Sequence, residues 1–147
     1  MTKEEVLHSF QDGFDCGQTV FRCGAKRLGM DEKEACRISS GFGGGMLRGE
    51  TCGAVIGAYL TLGLKYGYCE PGEAGTERKA LSMKKNAEFC EKFREKYPAF
   101  QCRDLLDADF STPEGQRRIQ ERRLMSTFCP QLVADVTAIL DEILAED

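Results

Sequence analysis

Imidazole is almost absent from this sequence: His8 is the only histidine among 147 residues. A Cys2His2 zinc site needs two, so the chain alone cannot build one. Cys–His nucleophilic chemistry would need the first helix to carry His8 to a cysteine, which leaves hydrolase chemistry poorly supported. Cys-x-x-Cys is missing altogether, which removes the thioredoxin and zinc-ribbon arrangements. Cys-x-x-Cys-His is missing with it, so haem c is not expected. There is no basic excess either: the net charge is −4, which argues against a nucleic-acid partner. The longest apolar run, Ala54–Leu64, is too short to cross a bilayer, so the chain is not expected to be an integral membrane protein. The opening Met-Thr-Lys-Glu-Glu lacks the apolar core of a signal peptide, and a cytoplasmic location is the expectation.

Period-two alternation is also lacking, so essentially no sheet is expected. Apolar residues recur instead at helical spacing. The expectation is an all-α, single-domain bundle of about six to eight helices over residues 1–147. Thr2-Lys3-Glu4-Glu5 has the form of a capping box and opens a helix over about 3–12. Asp15 caps a second helix starting at Cys16 and stopped by Gly29. Asp31-Glu32-Lys33-Glu34 opens a third, running to about Ser40. The fourth begins at Cys52 behind Thr51 and reaches about Tyr66. Its Gly53/Gly57 pair permits close approach of another helix. A long charged helix over about 76–96 has Leu81, Met83, Phe89 and Phe93 as its buried side. Cys102–Leu106 reads as a short helix. Thr112-Pro113-Glu114 starts another, which carries Arg117, Arg118, Arg122 and Arg123 as a solvated face. The last helix is expected from Cys129-Pro130. Its wide apolar stripe, Leu132 to Leu144, is core or in part a partner face, which admits a homodimer.

Against these absences stand sixteen glycines and eight cysteines. Six glycines fall within residues 41–53, at positions 41, 43, 44, 45, 49 and 53. Such density is conformationally expensive and is kept where the backbone turns left-handed or approaches something closely. No Gly-Lys-Ser/Thr follows, and no strand precedes, so neither a P-loop nor a dinucleotide site is supported and no nucleotide is expected. Backbone N–H groups of consecutive glycines can instead face an anion such as a thiolate or inorganic sulfide. Gly43, Gly44, Gly45 and Gly53 are the candidates, with Arg48 as an electrostatic contributor. A loop that only permits tight helix packing is the alternative.

The cysteines divide by position. Cys23, Cys36 and Cys90 lie inside helices and Cys69 in a connector, where a thiol behaves as a small hydrophobe. Cys16, Cys52, Cys102 and Cys129 each fall at or near an expected helix start. Unpaired N–H groups and partial positive charge there favour thiolate, the reactive and metal-binding form. Four such thiols point to one convergent site that only the fold can assemble.

This pattern resembles the redox-active protein family labelled C_GCAxxG_C_C, over nearly the whole chain. Cys16 corresponds to the first family cysteine. Gly41-Phe42-Gly43-Gly44-Gly45 followed by Cys52-Gly53-Ala54-x-x-Gly57 corresponds to the central motif, and Cys102 and Cys129 to the last two cysteines. The chain spells Thr51-Cys52-Gly53-Ala54 where the label has Gly-Cys-Ala. The resemblance implies redox activity through the cysteines. It also implies kinship with a helical domain of split-Soret cytochromes, whose four cysteines are linked to an iron–sulfur cluster; their haem motifs are missing here.

Four readings follow. The quartet ligates an iron–sulfur cluster, or two members cycle between dithiol and disulfide with Cys52 as nucleophile. Either would make the chain an electron-transfer or thiol–disulfide oxidoreductase with an unidentified redox partner. Alternatively the four hold a structural zinc, or the chain is a helical interaction module with incidental cysteines.

Overall fold

In a computed structural model the described residues, 1–146, are all-α. Eight helices follow in order: α1 (Lys3–Gln11), α2 (Cys16–Arg27), α3 (Glu32–Ile38), α4 (Gly53–Tyr66), α5 (Gly72–Lys96), α6 (Cys102–Leu106), α7 (Pro113–Glu121) and α8 (Leu124–Ala145). Among the described residues the only β-type pairing is an isolated antiparallel bridge, Thr51 with Gln101. Nor is any helix among them long and apolar enough to cross a membrane.

The local signals act as their chemistry dictates. Thr2 caps α1 by accepting from the Glu5 amide, and Asp31 caps α3 through Glu34. Asp15 forms a reciprocal capping box with Gln18 at the start of α2. At its end Gly29 turns left-handed, and the Met30 and Gly29 amides bond back to Ala25 and Lys26, a Schellman closure.

α4 is the central helix and packs against α2, α5 and α8. Its tightest neighbour is α2, and small residues make the approach close. A Cβ at Gly57 would stand 2.9 Å from the Gly17 carbonyl oxygen, and one at Gly24 would stand 2.4 Å from Thr61. The Gly53/Gly57 spacing thus serves packing of α2 on α4. From α5 the rings of Phe89 and Phe93, both fully buried, extend the core. Phe93 stacks on Tyr97 and Phe100, and Tyr97 meets Phe128 of α8 edge-on. This aromatic stack anchors the chain where it leaves α5 for α6.

Three expectations need correction. α8 begins at Leu124, so Cys129 lies in its second turn and Pro130 sits inside the helix. Pro130 cannot donate to Ser126, but Ser126 is exposed, so water can satisfy its carbonyl. α4 begins at Gly53, with Cys52 as its N-cap and Thr51 drawn into the bridge. On α5, Met83 is 61% exposed, while Lys85 is buried there, its ammonium 2.9 Å from Glu146 and over the Tyr66 ring. An aliphatic stem with a paired head fills that position as an apolar side chain would.

Gly57→Ala is expected to lower the unfolding free energy by about 1–3 kcal/mol through overpacking against backbone. Gly63→Ala, with open space around its Cβ position, is expected to raise it by about 0.5–1 kcal/mol. Urea unfolding of the two variants checks both signs.

Candidate functional site

Cys16, Cys52, Cys102 and Cys129 line one cavity of about 260 Å³. None of the other four cysteines borders it. Cys16 opens α2 directly after its cap, Asp15. Cys52 and Cys102 are held by backbone pairing across the Thr51–Gln101 bridge. The Cys52 amide donates to the Phe100 carbonyl at 2.8 Å, and the Cys102 amide donates to the Glu50 carbonyl at 2.6 Å. Cys129 enters from α8, flanked by Phe128 and Pro130.

The glycine stretch forms the remaining wall. Gly44 to Leu47 run through a left-handed turn with φ of 64, 62, 59 and 55°. Glycine takes this conformation freely, but Met46 and Leu47 each pay roughly 1–2 kcal/mol for it. Both line the cavity, and Leu47 is 66% exposed. The turn packs at its start on the Asp15 carboxylate, which a Cβ at Gly43 would approach to 2.6 Å. The backbone of Gly44 favours the charged form of the Cys16 sulfur. On the other side, a Cβ at Gly53 would stand 2.6 Å from that sulfur. Gly43, Gly44 and Gly53 therefore border the cavity, while Gly45 is buried behind it. Arg48 is exposed and lies outside the lining. His8 is also remote from the lining, exposed on α1 and 3.7 Å from Asp12. Of the four arginines about α7, Arg118 and Arg122 pair with Asp107.

Three of the thiols are held away from the thiolate form. Cys16 is raised well above the ordinary thiol value, first by its hydrogen bond with Cys52 and then by burial; the Gly44 amide opposes the shift. Burial pushes Cys102 up to about 12, with a further contribution from Cys16. Cys129 is raised by burial and by the charges that Cys16 and Cys102 would carry. The expectation of thiolates at helix starts is thus overturned for these three. At Cys102 removal of sulfur from water outweighs the field of the helix end, at Cys16 the neighbouring Cys52 does so together with burial, and Cys129 is not at a helix end. Each of these thiols is neutral near pH 7, and ionising one penalises the others.

Asp15, read from sequence only as a cap, is also a cavity wall. So are Phe110, Met125 and Phe128, which sequence reasoning did not single out, and Leu132, read there only as core or partner face. Met125, Cys129 and Leu132 share a helical face, a signal visible only once α8 is started at Leu124. Among the described residues no three His, Cys, Asp or Glu side chains are placed to hold one metal ion. The four sulfurs surround a space; they do not converge on a point.

The raised thiols bind protons in the folded chain that the unfolded chain releases above about pH 9. Their contribution to stability is present below that pH and is lost as pH climbs towards 12. The metal-free protein is therefore expected to keep its urea midpoint up to about pH 8 and to lose it steadily above pH 9. An unchanged midpoint at pH 10.5 would mean that the thiols ionise freely in the fold.

No curated protein and no solved structure matches the chain. Residues 14–143, which include all four cavity cysteines and the glycine turn, match the family described as "putative redox-active protein (C_GCAxxG_C_C)", and the chain belongs to that family.

Proposed function

We propose that this chain is a redox protein that binds an iron–sulfur cluster through Cys16, Cys52, Cys102 and Cys129. The observation that carries the reading is that these four thiols, and no other cysteine, line one cavity walled by the glycine turn. Four thiols are the donor set for such clusters. Zinc would need its ligands around one point, and among the described residues no three such side chains are so placed. When bound, a cluster supplies reversible one-electron chemistry.

The chain's own residues prepare the site. Phe110, Phe128, Leu132 and Val133 keep its floor apolar and exclude water. The Gly44 backbone favours charge on the Cys16 sulfur, and polar groups that stabilise ligating sulfur tune a cluster's potential. Gly53 leaves room for that sulfur. Ligation displaces thiol protons, so cluster binding is coupled to proton release.

A second reading has its own support. The Cys16 sulfur lies against Gly53, the neighbour of Cys52, and Cys52 is the strongest influence on the Cys16 thiol, so this pair is the one suited to cycle between dithiol and disulfide. Such a cycle releases two protons and two electrons to an acceptor disulfide.

Anaerobic reconstitution with ferrous iron and sulfide separates the readings. The cluster reading expects a brown protein with visible absorption and acid-labile sulfide. Cys→Ser at any of the four cavity positions should cut bound iron several-fold, while Cys23→Ser and Cys69→Ser should leave it unchanged. A colourless, iron-free protein that forms a Cys16–Cys52 disulfide with oxidised glutathione would favour the second reading.

A further inference from the structure

The chain carries no charged side chain from Thr51 to Leu64, so α4 is apolar around its circumference over this stretch. Such a helix is normally buried on every side. Here α2, α5 and α8 cover only part of it. An outer face with Ile56, Tyr59, Leu60, Gly63 and Leu64 at helical spacing is left partly open, and Tyr59 and Leu64 are 40% and 43% exposed. α5 continues this face. The Tyr59 hydroxyl and the Cys90 sulfur share a hydrogen bond of 2.9 Å, and the Lys79 ammonium lies 5.8 Å from the centre of the Tyr68 ring. These contacts set α5 antiparallel beside α4 and turn the side of α5 that carries residues 79 and 90 towards the open face. Met83 and Cys90 stand two turns apart on that side, about 10 Å along the axis. The face has relief. At one end is a hollow of about 420 Å³ whose lining includes Met46, Val55, Tyr59, Cys90 and Phe100. At the other end Met83 projects, 61% exposed. Between them lie Asn86, Ala87 and Gly63, the last with nothing within 4 Å of an added Cβ.

We propose that the α4–α5 face is a homodimer interface in which Met83 of each copy enters the Tyr59–Cys90 hollow of the other. A projection and a hollow on one face fit each other when a second copy is turned by 180° about an axis between them, which is the self-complementary contact of a two-fold dimer. The thioether would lie against the rings of Tyr59 and Phe100, a contact that sulfur favours. The middle of the face carries no charge, so the two-fold brings no like charges together there. Tyrosine and methionine, the side chains it exposes, are those enriched at interfaces. Lys79, and Arg94 over the Phe100 ring, stand at its two ends as a polar rim. Met46 walls both this hollow and the thiol cavity, so a second copy would hold the left-handed turn from outside. The association needs no metal, so its failure and that of the cluster reading are separable.

The test is sedimentation equilibrium of the metal-free full chain under reductant, across micromolar concentrations. The expected mass tends to twice the 16.4 kDa of the chain. Met83→Asp replaces an exposed side chain and would bury a carboxylate in the hollow, so it should weaken the dimer at least about tenfold. Met125→Asp, at an exposed apolar position on α8, should leave it unchanged. In a sample mixed from chains labelled with ¹³C-methyl methionine and unlabelled chains, filtered NOE spectra should connect the Met83 methyl to aromatic protons of the other copy. A chain that stays monomeric throughout overturns the interface, whatever small molecule or other protein is found on the face. A dimer unaffected by Met83→Asp overturns it too. A dimer weakened by Met83→Asp but without the intermolecular signal overturns the seating of Met83. Should the variant fail to fold, the wild-type mass and spectra still decide the matter.

Discussion

Two backbone hydrogen bonds hold the site together: Cys52 N–H to Phe100 and Cys102 N–H to Glu50. They join segments separated by the whole of α4 and α5. Neither segment has a sheet to belong to, so the pairing depends on what lies beneath it. Phe100 stacks on Phe93, itself fully buried in α5, and Tyr97 meets Phe128 next to Cys129. The aromatic stack therefore fixes both the bridge and the α8 wall of the cavity. On the opposite side the close approach of α2 to α4, permitted by Gly17, Gly24 and Gly57, brings Cys16 to Cys52.

The energetics of the cavity follow from its dryness. Three of its thiols are pushed towards the neutral form, in two cases chiefly by burial and in Cys16 first by the bond to Cys52. Neutral thiols are weak nucleophiles and weak ligands until something takes their protons. A cationic iron centre would do this, whereas a lone attacking cysteine would need a base, and the only histidine is outside the lining. The same desolvation that suppresses casual thiol chemistry would strengthen charge interactions within a bound cluster. Met46 and Leu47, held left-handed over the cavity, show that the wall is built at some conformational cost.

Much of the helix pattern was legible because its signals are local. Asp15, Asp31 and Thr112 cap the helices that follow them, and Gly29 and Pro98 stop or limit others. Pro130 misled because a proline in a helix interior looks like a first-turn proline when only its neighbours are read. The apolar positions Leu124, Phe128 and Leu132 continue the α8 stripe upstream of it. Met83 misled because side-chain polarity does not reveal that Lys85, with its stem buried and its head paired, fills the inward position. Arg48 drew attention through its place in the glycine stretch, yet the left-handed turn sends it outward.

The sequence by itself determined the all-α class, the glycine-walled loop and which four of the eight cysteines belong together. Each of these rests on residue type and short-range spacing. Only the tertiary structure decided that the four line one cavity and that Cys16, Cys102 and Cys129 are pushed towards the neutral form. Those properties depend on contacts between residues far apart in the chain and on how much water the folded walls exclude, neither of which is written in local spacing.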